Sequence, residues 1–344
     1  MTKAGNLSLP SDVDVVVIGG GPGGSATAIY CAQHGLQVVL LEQSAFPRHR
    51  PGETLHPGIE PLLEQLGVAE QVLEAGFLRH EGQWVDWGDK PSAFQAFGQD
   101  QAGPWLGFQV IRSQFDSYLL EQAKALGVQV LQPCPALAPL TIQGRVTGVQ
   151  IAAGEIRASY LVDAAGGNHW LARQLPLEIT PYSPKLLVYY GYARGDYPAR
   201  DAAPAIQADA EGWTWIARVQ PQRYQWTRFS FAQQQLDRDW RPPELADLDP
   251  EGRSQAADVT WRLVRAAAGL GYFLVGDAAT VLDPASSHGV LKAITSGMMV
   301  AHLICEANDL QRSEAEIAKG YCQWLEQGFW YDLQHLQALY GLVT

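Results

Sequence analysis

The sequence is short of positive charge, of paired cysteines and of long apolar runs. Its 24 lysines and arginines face 36 aspartates and glutamates, for a formal net charge of −12. That balance argues against a nucleic-acid partner, because phosphate binding needs a clustered positive surface. The cysteines Cys31, Cys134, Cys305 and Cys322 never stand at Cys-x-x-Cys spacing, so neither a zinc knuckle nor a redox dithiol is indicated and no metal is expected. Met1–Pro10 holds one lysine and no apolar core, unlike a signal peptide. The first long apolar stretch, Val13–Ala32, is broken by Gly19-Gly20-Gly21-Pro22-Gly23-Gly24, and no uninterrupted apolar span of ~18 residues occurs. The expectation is a reduced, cytoplasmic protein with no membrane span.

What is present is glycine and tryptophan. The 344 residues include 34 glycines and 11 tryptophans, with 47% apolar and 17% charged residues. Such a chain folds rather than staying disordered. At ~150 residues per domain, its length suggests one large or two modest domains. Tryptophan serves the core, and it also serves sites for flat, apolar substrates.

Val15–Ile18 is a continuous β-branched run, as in a buried parallel strand. The glycine cluster follows, then a helix over Ser25–Gln33 and a second apolar strand over Leu36–Leu41 closed by Glu42. Together they make one βαβ unit. Ile59–Leu66 and Tyr118–Leu126 read as amphipathic helices. Gly82–Phe108 reads as short strands, Val128–Val162 as a meander and Leu186–Phe231 as further β-structure. Gln234–Ala257, polar and carrying Pro242, Pro243 and Pro250, reads as a loop. Tyr272–Val275 reads as a strand, Val290–Glu306 as a helix and Ser313–Leu342 as largely helical. The expected fold class is α/β, with a Rossmann-like cofactor domain discontinuous over 1–80, 111–181 and 265–344. A β-rich cover is expected from 81–110 and 182–264.

Gly19, Gly21 and Gly24 satisfy G-x-G-x-x-G between a strand and a helix. In that setting Gly19 permits the tight turn, Gly21 lets the backbone approach a pyrophosphate, and Gly24 lets helix and strand pack closely. Pro22 and Gly23 complete a loop whose helix N-terminus offers free N–H groups to an anion. Glu42, at the end of the second strand, can accept from a ribose hydroxyl. A glycine-rich turn without a ligand is the plainer alternative. The motif alone does not separate FAD from NAD.

Three further segments resemble the flavoprotein hydroxylase superfamily, which includes aromatic hydroxylases, flavin-dependent halogenases and geranylgeranyl reductases. They are Glu42-Gln43-Ser44-Ala45-Phe46-Pro47-Arg48 with Gly52-Glu53-Thr54-Leu55, then Leu161-Val162-Asp163-Ala164-Ala165-Gly166, then Gly271-Tyr272-Phe273-Leu274-Val275-Gly276-Asp277-Ala278-Ala279. Arg112 to Asp116 resembles the family's Arg-x-x-x-Asp helix start. The resemblance runs from about residue 12 to 310. It implies FAD, reduced by NAD(P)H or a separate reductase. It implies that Gly276 and Asp277 meet the ribityl chain, that Arg112 meets the ADP half, and that Arg48 or Arg50 meets flavin or phosphate. It also implies that Asp283-Pro284 through Gly289 and Val290 form the loop against the flavin ring. For Asp277 a helix-capping role is the alternative, and for Arg48 and Arg50 a solvated surface.

The superfamily hosts several reactions, so fold alone does not choose among them. Gly212-Trp213-Thr214-Trp215-Ile216 resembles a halogenase signature only in part, since Ala217 stands where a proline would follow. The halogenase pattern places a lysine at position 80, where this chain has His80, and a Ser/Thr-Gly pair where it has His288-Gly289. The expectation is therefore an FAD-dependent monooxygenase that hydroxylates an aromatic ring through a flavin hydroperoxide. Flavin-dependent halogenation and a non-catalytic flavoprotein partner are the alternatives. The stretch from Asp283-Pro284 to Met299, with Ser287-His288-Gly289-Val290-Leu291-Lys292-Ala293, resembles one subgroup, maturation flavoproteins that oxygenate tryptophan in quinone-cofactor enzymes. The expected partner is thus an aromatic small molecule or a tryptophan of a partner protein. His288 and His80 are the candidate catalytic residues; Trp213, Trp215 and Trp84 are the candidate substrate contacts. For each of these, core packing is the competing role.

Overall fold

The computed structural model describes residues 12–87, 91–230, 236–310 and 312–341. Met1–Pro10, and the expected element ends Phe231, Gln234 and Leu342, lie outside the described residues. The apolar run near the N-terminus forms the strand Asp12–Ile18, whose last four residues are buried. It pairs in parallel with Val38–Leu41 on one side and with Gly154–Asp163 on the other. The cofactor-domain sheet has the order Gln129–Leu131, Val38–Leu41, Asp12–Ile18, Gly154–Asp163, Arg145–Ile151, Ala138–Ile142.

Gly154–Asp163 does two jobs. Its first half alternates exposed and buried residues and pairs antiparallel with Arg145–Ile151; its last four residues are all buried. At Leu161–Asp163 it pairs in parallel with Tyr272–Leu274. The expected meander over Val128–Val162 therefore divides: its outer strands form antiparallel hairpins, while its end becomes a central parallel strand. Covered on both faces, that end needs continuous apolar sequence.

Three helices lie against this sheet: Pro22–Gln33, Arg112–Ala125 and Gly289–Leu310. The first and last cross where glycine permits. A Cβ on Gly297 would stand 2.4 Å from the Gly23 carbonyl oxygen, and one on Gly23 would stand 3.0 Å from that of Ala293. Gly289–Ala307 is long and apolar enough to cross a membrane by composition, with mean hydropathy 1.3. Here it packs on the glycine-loop helix at Ala293 and Gly297, and Ile294, Met298 and Ala301 are buried. Counting only uninterrupted apolar residues passed over it, because Lys292, Thr295 and Ser296 punctuate the stretch.

The cover is a seven-stranded sheet in the order Asp249–Asp258, Leu187–Arg194, Arg223–Ser230, Gly212–Gln220, Ala205–Asp209, Gly82–Asp86, Ala93–Ala96. Asp249–Asp258 corrects the expected Gln234–Ala257 loop. Among the described residues it is an edge strand, paired only with Leu187–Arg194 and largely exposed, so its polarity reflects the edge and not a lack of strand structure. A small sheet of Thr54–Leu55, Gly107–Gln109 and Leu78–His80 carries His80. The C-terminal helix Glu314–Tyr340 buries Ile317, Tyr321, Leu325, Phe329, Leu333, Leu336 and Tyr340, the i, i+4, i+8 stripe of an amphipathic helix.

Candidate active site

The glycine loop separates into residues that packing dictates and one that it leaves open. Gly19 has φ +105°, and a Cβ there would lie 2.4 Å from the Ala164 carbonyl oxygen. A Cβ on Gly24 would lie 1.9 Å from the Gly19 carbonyl oxygen. Around Gly21 the only close neighbour is Arg48 Nη2, at 3.4 Å. The backbone is thus bare at Gly21, where a ligand approaches. The helix Pro22–Gln33 begins with Pro at its first turn, without a side-chain cap or an acidic residue there. Its terminal N–H groups therefore remain available to an anion.

Glu42 is buried and holds this loop. Its Oε2 accepts the Gly20 N–H at 2.9 Å and its Oε1 accepts the Ser44 N–H at 2.8 Å. A carboxylate has about four acceptor positions, so a further donor can still reach it. Arg48 lies beside it, with Nε 3.7 Å from Glu42 Oε2 and Nη1 3.2 Å from Asp116 Oδ2. The Arg48 Nε is buried and has no hydrogen-bond partner. An orphaned cationic donor at the mouth of a glycine loop fits a bound anion, so Arg48 is the arginine at the loop. Arg50 is exposed. Arg112 chelates Asp116 through Nε at 2.9 Å and Nη2 at 3.0 Å, and its Nη1 donates to the Pro51 carbonyl at 2.7 Å.

Asp277 is accessible to solvent, yet protein closes round it and raises its carboxyl above the ordinary range, against the pull of Arg112, Arg262 and Lys292. Gly276, at φ +55°, turns the chain there. Its N–H donates to Ser296 Oγ at 2.9 Å.

The loop from Asp283 to Gly289 is held from the C-terminal helix. Buried Asp283 accepts from Trp261 Nε1 at 2.8 Å, from the Ala285 N–H at 3.1 Å and from Tyr340. Tyr340 also accepts from Trp213 Nε1 at 3.0 Å. Its ring stacks with Phe229, Trp261 and Trp87. Pro284 is exposed and Val290 half-buried. Nothing stands within 4 Å of a Cβ placed on Gly289, and the 22-residue helix it opens has no acidic residue in its first turn.

His288 and His56 face each other at 5.0 Å between ring centroids, and Phe97 lies 5.3 Å from His56. Burial first, then His56 and Lys292, lower the His288 pKa to about 4. It is a neutral imidazole at physiological pH. Lys292, one turn along the helix, is paired with Asp332 of the C-terminal helix. His80 also contacts Phe97, at 5.3 Å between ring centroids. Its Nδ1 bonds the Gly82 carbonyl at 2.8 Å, which assigns the proton there, and Gln109 Nε2 lies 3.2 Å from its Nε2. Burial lowers its pKa. Both ring nitrogens are therefore committed within the sheet.

The three candidate substrate tryptophans separate. Trp213 is buried, stacked on Phe229 at 5.5 Å and bonded to Tyr340, and Trp215 is also buried. Both stand in the core and not at an opening. Trp84 is 40% exposed, against Phe94 on the edge hairpin. Reading the sequence missed His56 and Tyr340. His56 follows directly on Gly52–Leu55, a signal that was available, whereas nothing local marks Tyr340.

Comparison with known proteins agrees with this geometry. A family model described as FAD binding domain matches residues 12–315. The tryptophan 2-halogenase of Chondromyces crocatus is 28% identical over 86% of this chain and 61% of its own length. A flavin-dependent halogenase of Armillaria mellea is matched over only 44% of its length. The chain thus spans about two-fifths to three-fifths of the length of those two relatives. A 1H-pyrrole-2-carbonyl-[peptidyl-carrier protein] brominase of Pseudoalteromonas luteoviolacea is 30% identical over 86% of this chain and 78% of its own. Among solved structures, a myxobacterial chondrochloren halogenase superposes with TM-score 0.88 at 27% identity, covering 96% of this chain and 83% of that one.

Proposed function

The chain belongs to the FAD-binding domain family, in the group shared by flavin-dependent halogenases and aromatic hydroxylases, and from that premise we propose that it modifies an electron-rich aromatic ring by electrophilic substitution. The observation that carries this is the side-chain cluster at the start of the helix Gly289–Leu310. Its first turn, without an acidic residue, follows His288, whose ring lies 5.0 Å from that of His56, with Phe97 against His56. When bound, FAD supplies the activated oxygen from which the electrophile is made. The chain's own residues do the rest. Arg48, Glu42 and the helix Pro22–Gln33 bind the phosphates and ribose. Arg112, locked by Asp116, and Asp277 orient the cofactor. Asp283, tied to Trp261 and Tyr340, fixes the loop against the ring, and the Gly289 N-terminus stabilises negative charge nearby. His288 accepts the proton that the substituted ring releases.

The atom transferred has two readings. Halogen is favoured by the relatives, which support it more than the hydroxylation expected from the sequence. On that reading Lys292, at the recess beside His288, is the amine that carries the halogen. Oxygen is favoured by position 80, where the halogenase resemblance requires a lysine and His80 stands buried with both nitrogens bonded. The substrate is an aromatic small molecule or a tryptophan in a partner polypeptide. One experiment separates the readings. The FAD-loaded protein, a flavin-reducing system with NAD(P)H, ¹⁸O₂ and bromide are incubated with tryptophan and a tryptophan-containing peptide, and the products are weighed. A bromine isotope doublet that disappears in Lys292→Met establishes halogen transfer. One ¹⁸O atom in the product, indifferent to bromide, establishes hydroxylation. Peroxide release with no product from any aromatic refutes the proposal.

A further inference from the structure

We propose that His56 is a positioning residue for this reaction: it pairs with His288 across the recess and holds it as the unprotonated base that receives the ring proton. This rests on the functional reading above and assigns a residue to it. The segment carrying His56 packs on the start of the helix Gly289–Leu310, since a Cβ on Gly58 would stand 3.9 Å from Leu291 Cδ2. The Gly58 N–H donates to His56 Nδ1 at 3.0 Å. A nitrogen that accepts is unprotonated, so the His56 proton is on Nε2. The ring cannot turn without losing that bond, and it lies tilted against His288 at 5.0 Å and edge-on to Phe97 at 5.3 Å.

Two imidazoles in contact resist double protonation, because like charges at close range repel and the recess is partly desolvated. The other groups acting on His288 are Lys292 on its own helix, which also disfavours its protonation, and Asp332 on the C-terminal helix, which favours it. Lys292 and Asp332 are paired with each other, so that beyond burial, the largest influence, His56 is the unbalanced charged neighbour. The proton balance is simple. The substituted ring carbon loses its proton to His288, aromaticity returns, and His288 passes the proton to solvent before the next turnover. The step is the same whether the incoming group is halogen or hydroxyl.

The test is a titration of His288 by NMR in FAD-loaded protein, comparing wild type with His56→Phe, which keeps a ring in the space but removes the charge. Wild type is expected to titrate near pH 4, and the variant at a higher pH. The acid limb of its rate profile moves with it. His56→Gln repeats the measurement if the larger ring disturbs packing. His288→Gln is expected to slow product formation about 10²-fold. An unmoved His288 midpoint in both His56 variants overturns the pairing, whatever the substrate. Undiminished turnover in His288→Gln overturns the base role. A wild-type protein that modifies no aromatic ring overturns the functional reading instead, and the titration still judges the pair.

Discussion

Two alanine substitutions in the glycine loop should fail in opposite ways. In Gly24→Ala the new Cβ meets the Gly19 carbonyl oxygen at 1.9 Å, where real Cβ atoms essentially never come within 3.0 Å. That oxygen cannot retreat cheaply. The Gly19 N–H donates to Leu41 at 2.7 Å, and the strand before it is clamped by parallel neighbours on both sides. Overpacking against backbone sits at the upper end of the usual range, ~3 kcal/mol. Exchanging glycine for alanine inside a helix returns ~1 kcal/mol. The net loss is about 2 kcal/mol, or a melting temperature lower by about 3 °C in a chain of this length. Gly21→Ala meets only Arg48 Nη2 at 3.4 Å, and Gly21 has φ −74°, which alanine adopts freely. The fold should hardly notice, changing by less than ~1 kcal/mol. FAD affinity should nevertheless fall at least about tenfold, a loss of ~1.4 kcal/mol, because the new methyl stands where the cofactor backbone contact belongs. Calorimetry of the FAD-free proteins and a fluorescence titration with FAD measure the two effects. Wild-type melting in Gly24→Ala refutes the close-approach reasoning, and wild-type FAD affinity in Gly21→Ala refutes the assignment of the open site.

Three further outcomes follow from the packing and charge. Tyr340→Phe strands the buried Trp213 N–H and removes a donor from Asp283, so urea unfolding should show a loss of ~1–3 kcal/mol. Arg112→Ala leaves the buried Asp116 carboxylate with Arg48 alone, and unfolding should report about 3 kcal/mol lost, with weaker FAD binding. The folded-state pKa of His288, about 4, lies below the ordinary 6.5. The unfolded chain therefore binds this proton first as pH falls, and stability is lost between about pH 6.5 and 4. His288→Gln should flatten that window by up to ~2 kcal/mol after allowance for partial solvent access. An unchanged slope of stability against pH between those values would show that the ring is not desolvated in the fold.

Much of the cofactor domain was legible because its signals are local. A β-branched run, a glycine loop, an apolar strand and Glu42 occur within a few dozen residues, and each has one physical reading in that order. The recess was less so. His56 and His288 are far apart in the chain and are brought together only by the approach of the Gly58 segment to Leu291. Arg48 and Arg50 have the same chemistry and similar position in sequence; only packing against Gly21 separates them. Trp213 and Trp215 read equally as substrate contacts or core, and burial of both, with Trp213 against Phe229 and Tyr340, placed them in the core.

The polarity of Asp249–Asp258 concealed a strand, because an edge strand has little to bury. What the residue order determined by itself was the dinucleotide loop, the α/β class and the low positive charge. Periodicity, glycine and net charge are properties of neighbours along the chain. What only the tertiary structure decided was which polar groups face each other in the recess. Tyr340, delivered by the last turn of the C-terminal helix, reaches Asp283 and so fixes the loop beside His288. Contacts of that separation depend on how whole elements pack, and no spacing in the sequence encodes them.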